Sequence, residues 1–228
     1  MSTKTIIKIV YDNEATKGYI SGWGFSAIIQ KNSKTILFDT GWDGIALIKN
    51  LEQSNIHTEE IDYIVISHNH WDHLGGLSTI LNSSKSPEVF VPKSSFSSNL
   101  KAEITRFGGI REIGEKFEEL NEGVFITPEL KTEIEGVTEI SLMVQTKRGF
   151  VLICGCSHPG LDKIIDKAQF KGKIYAVIGG FHGFEKLEKL KEIELIIPCH
   201  CTRKKKEILN EYTENAKECF SGLELIFD

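Results

Sequence analysis

Several common features are missing from this 228-residue sequence, and each gap narrows what the protein can be. No apolar run reaches membrane-spanning length, and the opening MSTKTIIKIVYDNEATKG carries too short an apolar stretch for a secretory leader. There is no surplus of positive charge. The 27 Lys and Arg face 32 Asp and Glu, and the net charge of −5 offers no global grip on nucleic acid. Nor is there an even set of cysteines: five, at 154, 156, 199, 201 and 219, without a leader, fit a reducing cytoplasm better than a disulfide framework. A low-complexity linker, a repeat of about 20–50 residues and the HExxH helix of zinc proteases are all lacking. The expectation is a cytoplasmic protein whose partner is a small molecule, not a membrane or a nucleic acid.

What is present is ordinary in bulk. With 40% hydrophobic and 26% charged residues the chain can bury a full core, and its length suits one large domain, 1–228. GFSAIIQ and KTILFDT read as strands joined by a turn at KNSK, followed by a helix over DGIALIKNLEQSN. Tyr63-Ile64-Val65-Ile66 does not alternate, so that strand is expected to be covered on both faces. In the second half EISLMVQ and FVLICG form another hairpin. Leu161, Ile164, Ile165 and Ala168 then mark one buried helix face, with Pro159 near its start. KIYAVIGG is a strand, FEKLEKLKEI a helix, ELIIPCH a strand, TRKKKEILNEYTEN a helix and LELIF a last strand. Residues 92–123 show weak periodicity and read as a loop-rich insertion. Hairpins mixed with strand–helix alternation predict two mixed sheets packed together with helices outside.

The chemistry is concentrated in histidine. VISHNHWDHLGG crowds His68, His70, Asp72 and His73 into six residues behind an apolar run. His158, His182 and His200 each follow an apolar strand, so one sheet edge could gather them; only His57 sits away from such an end. If the chain stays extended past the strand, His68 and His70 point the same way, and Asp72 and His73 aim at a neighbouring point. Two adjacent sites therefore suit the spacing better than one. Imidazole and carboxylate donors suit zinc, iron or manganese.

HNHWDH matches the HxHxDH signature of the metallo-β-lactamase fold superfamily, and TILFDTG resembles its strand ending in an Asp-Thr-Gly turn. SHNHWDHLGGL, CGCSHPG, GGFH and PCHCT, in that order, resemble the subgroup of dihydropterin ribofuranosylaminobenzene phosphate synthase-like metal-dependent hydrolases. The resemblance implies an α/β (α+β) four-layer αββα sandwich with one or two divalent metals, zinc first, in a cleft at one edge. It implies His68, His70 and His158 on one metal and Asp72, His73 and His200 on the other. It also implies an Asp bridging both metals where this chain has Gly155-Cys156. Either Cys156 contributes a thiolate, or His158 takes over, or the second site is weak or empty.

The remaining candidates surround that set. Asp39 is expected to orient the ligand loop by hydrogen bonding, with simple turn capping as the alternative. His182 could donate a proton near the leaving group, contact substrate, or cap a strand end. Trp71 could wall the cleft, and Arg203, opening the run Arg203-Lys204-Lys205-Lys206 against the helix dipole, could reach a substrate anion. Cys154, Cys199 and Cys201 read as small packing residues; Cys154 and Cys156 could also form a redox pair. A metal lowers the pKa of bound water from ~15.7 towards ~7. The expected activity is hydrolysis by a metal-bound hydroxide at an ester-like or phosphoryl bond of a small, anionic substrate; pterin-related phosphate chemistry is what the subgroup resemblance implies, and nothing in these residues reads out a pterin ring. Competing readings are an iron-dependent redox enzyme using dioxygen or a persulfide, and a non-catalytic metal- or pterin-binding protein.

Overall fold

Short apolar strands alternating with one-faced helices can bury themselves only in layers, and the chain does so twice. The computed structural model describes residues 4–228. Its first half runs β1 (Thr5–Tyr11), β2 (Ser26–Lys31), β3 (Lys34–Phe38), α1 (Gly44–Gln53), β4 (Tyr63–Val65), α2 (Trp71–Leu74), α3 (Leu77–Ser83), β5 (Glu88–Pro92), α4 (Ser98–Ile104) and β6 (Ile110–Ile113). The second half runs β7 (Glu118–Asn121), β8 (Val124–Ile126), β9 (Leu130–Lys131), β10 (Thr138–Glu139), β11 (Leu142–Thr146), β12 (Gly149–Cys154), α5 (Leu161–Gln169), β13 (Ile174–Gly180), β14 (Leu195–Cys199), α6 (Lys205–Glu211) and β15 (Glu224–Phe227).

Two large sheets result. One is ordered β15-β1-β2-β3-β4-β5-β6 and the other β14-β13-β12-β11-β8-β7, with β9 and β10 pairing apart. Between them lies one core, to which Phe38, Val65 and Phe90 contribute from the first sheet and Ile126, Ile153, Ile178 and Ile197 from the second. The outer face of the first sheet packs Leu37 and Ile64 against Leu47, Leu51, Ile80 and Ile104 of its helices. That of the second packs Leu152, Val177 and Ile196 against Leu161, Ile164, Ile165 and Ala168 of α5. The molecule is therefore the four-layer αββα sandwich. The non-alternating run at 63–66 has its explanation here: Val65 faces the inter-sheet core, whereas Ile64 and Ile66 face the helices.

Three local expectations change. FEKLEKLKEI makes only a 3-10 turn at Leu187–Leu190. Its buried residues, Leu187, Leu190 and Ile193, recur every three positions, the period of a 3-10 turn and not of an α-helix. α6 stops at Glu211, since Ile208 is its one buried residue and little holds a longer helix down. Residues 92–123 are not an insertion outside the sheets. They supply α4 and one edge strand of each large sheet, β6 alongside β5 and β7 alongside β8.

Strand direction fixes where function can sit. β1 and β3 each run antiparallel to β2, and β4 is parallel to β3; in the other sheet β12, β13 and β14 are mutually parallel. The carboxyl ends of these strands deliver Asp12, Asp39, His68, Cys156, His182 and His200 to one rim.

Candidate metal centre

The rim is built from the backbone outward. Just past β3, Asp39 adopts φ 57° and its carboxylate accepts from the Ser67 amide at 2.7 Å and the Ser67 hydroxyl at 2.7 Å. The same carboxylate lies 2.6 Å from His73 Nδ1, so it orients both ends of the loop while belonging to none of the candidate metal-ligand groups among the described residues. Ser67 Oγ also lies 2.9 Å from His68 Nδ1, turning that ring's Nε2 toward the cleft. On the opposite side Gly155 allows the two sheets' loops to meet: a Cβ there would sit 2.2 Å from Ser67 Oγ.

Two donor sets face each other across this rim. The rings of His68, His70 and His158 stand 4.7, 4.7 and 4.8 Å apart by centroid, and His158 Nε2 lies 3.1 Å from His70 Nδ1. Asp72, His73, Cys156 and His200 form the second group, each offering a donor atom within 4.8 Å of the others. Asp72 Oδ2 is 3.0 Å from His200 Nε2, and Trp23 Nε1 donates to it at 3.1 Å. Cys156 Sγ, 3.0 Å from His73 Nε2, also groups with His68 and His158, so it stands where the two sets join. His182 belongs to neither set; its ring sits 4.9 Å from that of His158.

The electrostatics favour lone pairs over charge. Burial pushes His68, His70, His182 and His200 below the ordinary imidazole range, and it pushes His158 down to about 3 with help from His70. His73 is the exception: burial opposes its charge, but the Asp39 carboxylate overrides that and raises it to about 9. Asp72 is also desolvated, yet the His200 hydrogen bond and the His73 charge hold it well below the carboxylate range. Burial, with Cys201 beside it, pushes the Cys156 thiol up.

The residues fit a metal. His68 Nε2 is buried with no hydrogen-bond partner among the described residues, a loss of about 1–3 kcal/mol for a polar group unless something binds it. His70 and His158 present ring nitrogens to each other with no carboxylate between them. Three buried imidazoles, a carboxylate and a thiol suit zinc-like borderline ions.

Residues that the sequence reading missed hold this set in place. Glu139, wholly buried and pushed up by burial to about 7, accepts the amides of Cys156, Ser157 and His158 at 3.1, 2.9 and 2.8 Å. Asp12, raised by burial to about 6, accepts the His200 amide at 2.7 Å, and Asn13 Oδ1 lies 2.9 Å from His200 Nδ1. Their available signals were weak: a polar Asp12-Asn13 pair straight after β1, and one carboxylate, Glu139, in an apolar stretch.

Other candidates fall outside the donor sets. Trp71 is 66% exposed and lines an apolar groove of about 580 Å³ with Leu74, Leu77, Leu81 and Phe107. His182 and His158 line a second cavity of about 520 Å³ together with Lys163 and Lys186. Arg203 is exposed, donates its backbone amide to the His182 carbonyl at 2.9 Å, and its charge helps lower His182. The cysteine expectations need correcting. Cys199 is joined to Cys219 in a disulfide, their Cα atoms 5.1 Å apart. Cys154 is buried against Ser141 at 3.7 Å and does not pair with Cys156, whose sulfur instead lies 3.2 Å from Cys201 Sγ.

Among the described residues no helix is long and apolar enough to cross a membrane. Residues 24–200 match the family described as the Metallo-beta-lactamase superfamily. The chain is 30% identical, over 95% of its length and 94% of the relative's, to the 7,8-dihydropterin-6-methyl-4-(beta-D-ribofuranosyl)-aminobenzene-5'-phosphate synthase of Methanocaldococcus jannaschii. Among solved structures it is similar to Tm1679, described as a metal-dependent hydrolase of the beta-lactamase superfamily, with TM-score 0.78 and 29% identity, covering 97% of this chain and 98% of the other. The metallo-beta-lactamase fold protein YhfI from Bacillus subtilis shares the fold at TM-score 0.74 and 14% identity, covering 98% and 99% of the two chains.

Proposed function

Because the chain belongs to the metallo-beta-lactamase superfamily, we propose that it is a zinc-dependent hydrolase acting on an ester-like or phosphoryl bond of a small anionic molecule. The observation that carries this is the unpartnered His68 Nε2 at the meeting of two donor sets. His68, His70 and His158 would hold one ion, and Asp72, His73 and His200 the other, with Cys156 between them. A bound divalent metal supplies Lewis acidity and a water acidic enough to attack at neutral pH.

The rest is done by the chain itself. Asp39 and Asn13 keep His73 and His200 in the tautomer whose Nε2 faces the cleft, because each occupies the ring's Nδ1. His182, outside both sets and beside His158, would act as a proton acceptor during the reaction, since burial and the Arg203 charge lower its pKa and keep it neutral near pH 7. Arg203, next to His182, supplies positive charge for a substrate anion, and Trp71 offers an aromatic face to a ring. The relative's name contains a dihydropterin and a 5'-phosphate, and a phosphate is the class of anion that Arg203 would meet.

The test is metal analysis of anaerobically purified protein followed by a panel of phosphate monoesters, phosphodiesters, lactones and thioesters. Zinc with turnover, both lost in His70→Ala and Asp72→Ala, is expected. Retained stoichiometry and turnover in those variants, or iron accompanied by oxygen uptake, would overturn it.

A further inference from the structure

The sulfur shared by the two donor sets has a second sulfur in contact with it. Cys201 Sγ lies 3.2 Å from Cys156 Sγ, yet among the described residues Cys201 belongs to none of the groups that could hold a metal. The two thiols differ in access: Cys156 is buried, whereas Cys201 is only partly covered. The contact depends on a missing side chain. A Cβ at Gly180 would sit 2.6 Å from Cys201 Sγ, so glycine there leaves the space that the sulfur occupies. The other three cysteines cannot compete for either sulfur, because Cys154 is buried against Ser141 and Cys199 is already joined to Cys219. A disulfide needs its sulfurs at about 2.05 Å, roughly 1 Å closer than they stand, a shift within reach of side-chain rotation.

We propose that Cys156 and Cys201 form an oxidisable dithiol through which hydroperoxides empty the metal centre. The hydroperoxide transfers its terminal oxygen to the accessible Cys201 sulfur, giving a sulfenic acid and releasing water, or an alcohol from an organic hydroperoxide. The Cys156 sulfur then attacks the Cys201 sulfur. The S–O bond breaks, the S–S bond forms, and the hydroxyl leaves as water with the Cys156 proton. Two thiols lose two hydrogens and two electrons, and the hydroperoxide takes them up. The bond withdraws from the centre the one sulfur common to both donor sets. An external dithiol reverses it by exchange. Bond formation needs only the two sulfurs; its effect on metal rests on the zinc reading above.

The experiment treats the purified full-length protein with hydrogen peroxide, with and without prior removal of zinc by a chelator. Intact mass, peptide mapping and released zinc are then followed. A linkage between peptides containing Cys156 and Cys201 is expected, at least tenfold faster in the metal-free protein, with zinc released in step and restored capacity after dithiothreitol. Cys201→Ser should form no such linkage and should hold its zinc at peroxide doses that empty the parent; Cys201→Ala repeats this test without a hydroxyl. Cys154→Ser should behave as the parent. Absence of the 156–201 linkage in metal-free protein, or linkage of Cys154 in its place, would overturn the dithiol. Linkage with zinc fully retained would overturn its control of the centre. Linkage in a protein that never binds zinc would uphold the dithiol and remove the zinc reading.

Discussion

Replacing Asp39 by Asn changes almost no volume but removes the charge that both ends of the ligand loop depend on. The carboxylate accepts from the Ser67 amide, the Ser67 hydroxyl and, at 2.6 Å, His73. A carboxamide has one acceptor oxygen, so either orientation turns an N–H toward the Ser67 amide or toward His73 Nδ1. Loss of such an orienting partner typically weakens metal binding 10–100-fold, about 1.4–2.8 kcal/mol. The pH dependence is the sharper signature. In the parent without metal, burial disfavours a charged His73, yet Asp39 raises it to about 9. Metal must therefore displace a proton from this ring, and the affinity of its site should climb about tenfold per pH unit up to about 9. The same raised pKa stabilises the metal-free fold below about 6.5, and that contribution is lost as pH rises through about 9. Its size is on the order of 3 kcal/mol, from the gap between 6.5 and about 9. Asp39→Asn removes the largest of the contacts that raise the His73 pKa and so lowers it. Its affinity deficit should be largest near pH 9 and shrink toward pH 6.5, where the parent competes with its own proton. Chelator-competition titrations of zinc from pH 6.5 to 9 measure this. A deficit that stays constant with pH, or grows toward acid, refutes the account of His73.

Three other outcomes follow from particular contacts. Glu139→Ala leaves two buried amides and one half-buried amide without their acceptor, a cost of about 3 kcal/mol; the metal-free protein should melt about 6–12 °C lower, and a drop under about 2 °C would sink this reading. His68→Leu removes a buried Nε2 that has no partner among the described residues, together with the Nδ1 contact to Ser67. Relief of about 1–3 kcal/mol should at least offset a lost bond of about 0.5–1.5 kcal/mol, so the metal-free protein should lose no stability in a denaturant titration, while zinc stoichiometry falls; destabilisation beyond about 1.5 kcal/mol would show that His68 Nε2 is satisfied without metal. His182→Gln should lower kcat about 10²–10⁴-fold with zinc content unchanged, and loss of zinc would make it a ligand instead.

How much of this was legible in the sequence depended on whether the signal was local. The gathering of His68, His70, Asp72 and His73 at the rim was, because four such residues crowded directly after one apolar strand must emerge together at its end. α5 was too, since Leu161, Ile164, Ile165 and Ala168 carry their own period. The pairing of β15 beside β1 and the meeting of Cys156 with Cys201 were not, because each joins segments far apart in the chain. Glu139 was invisible for the same reason: what marks it is three amides from residues 156–158, and no pattern near position 139 announces them.

The least legible feature is also the one that binds fold to site. Eight described residues other than glycine have positive φ, and four of them, Asp39, Ser157, His182 and His200, lie within three residues of a strand's carboxyl end at the rim. Such conformations cost about 1–3 kcal/mol each and persist only where their surroundings over-determine them. Here they turn each strand sharply enough to drop a side chain into the cleft at once, without a loop long enough to move. His200 shows how the turn is held: Asp12 takes its amide at 2.7 Å and Asn13 Oδ1 lies 2.9 Å from its ring. Such a rim suits the proposed metal centre, since donors held within 4.8 Å of one another in each group before metal arrives lose little freedom on binding it. Local strain at the strand ends, held by the buried carboxylates Asp12, Asp39 and Glu139, is therefore the physical link between an ordinary layered core and its chemistry.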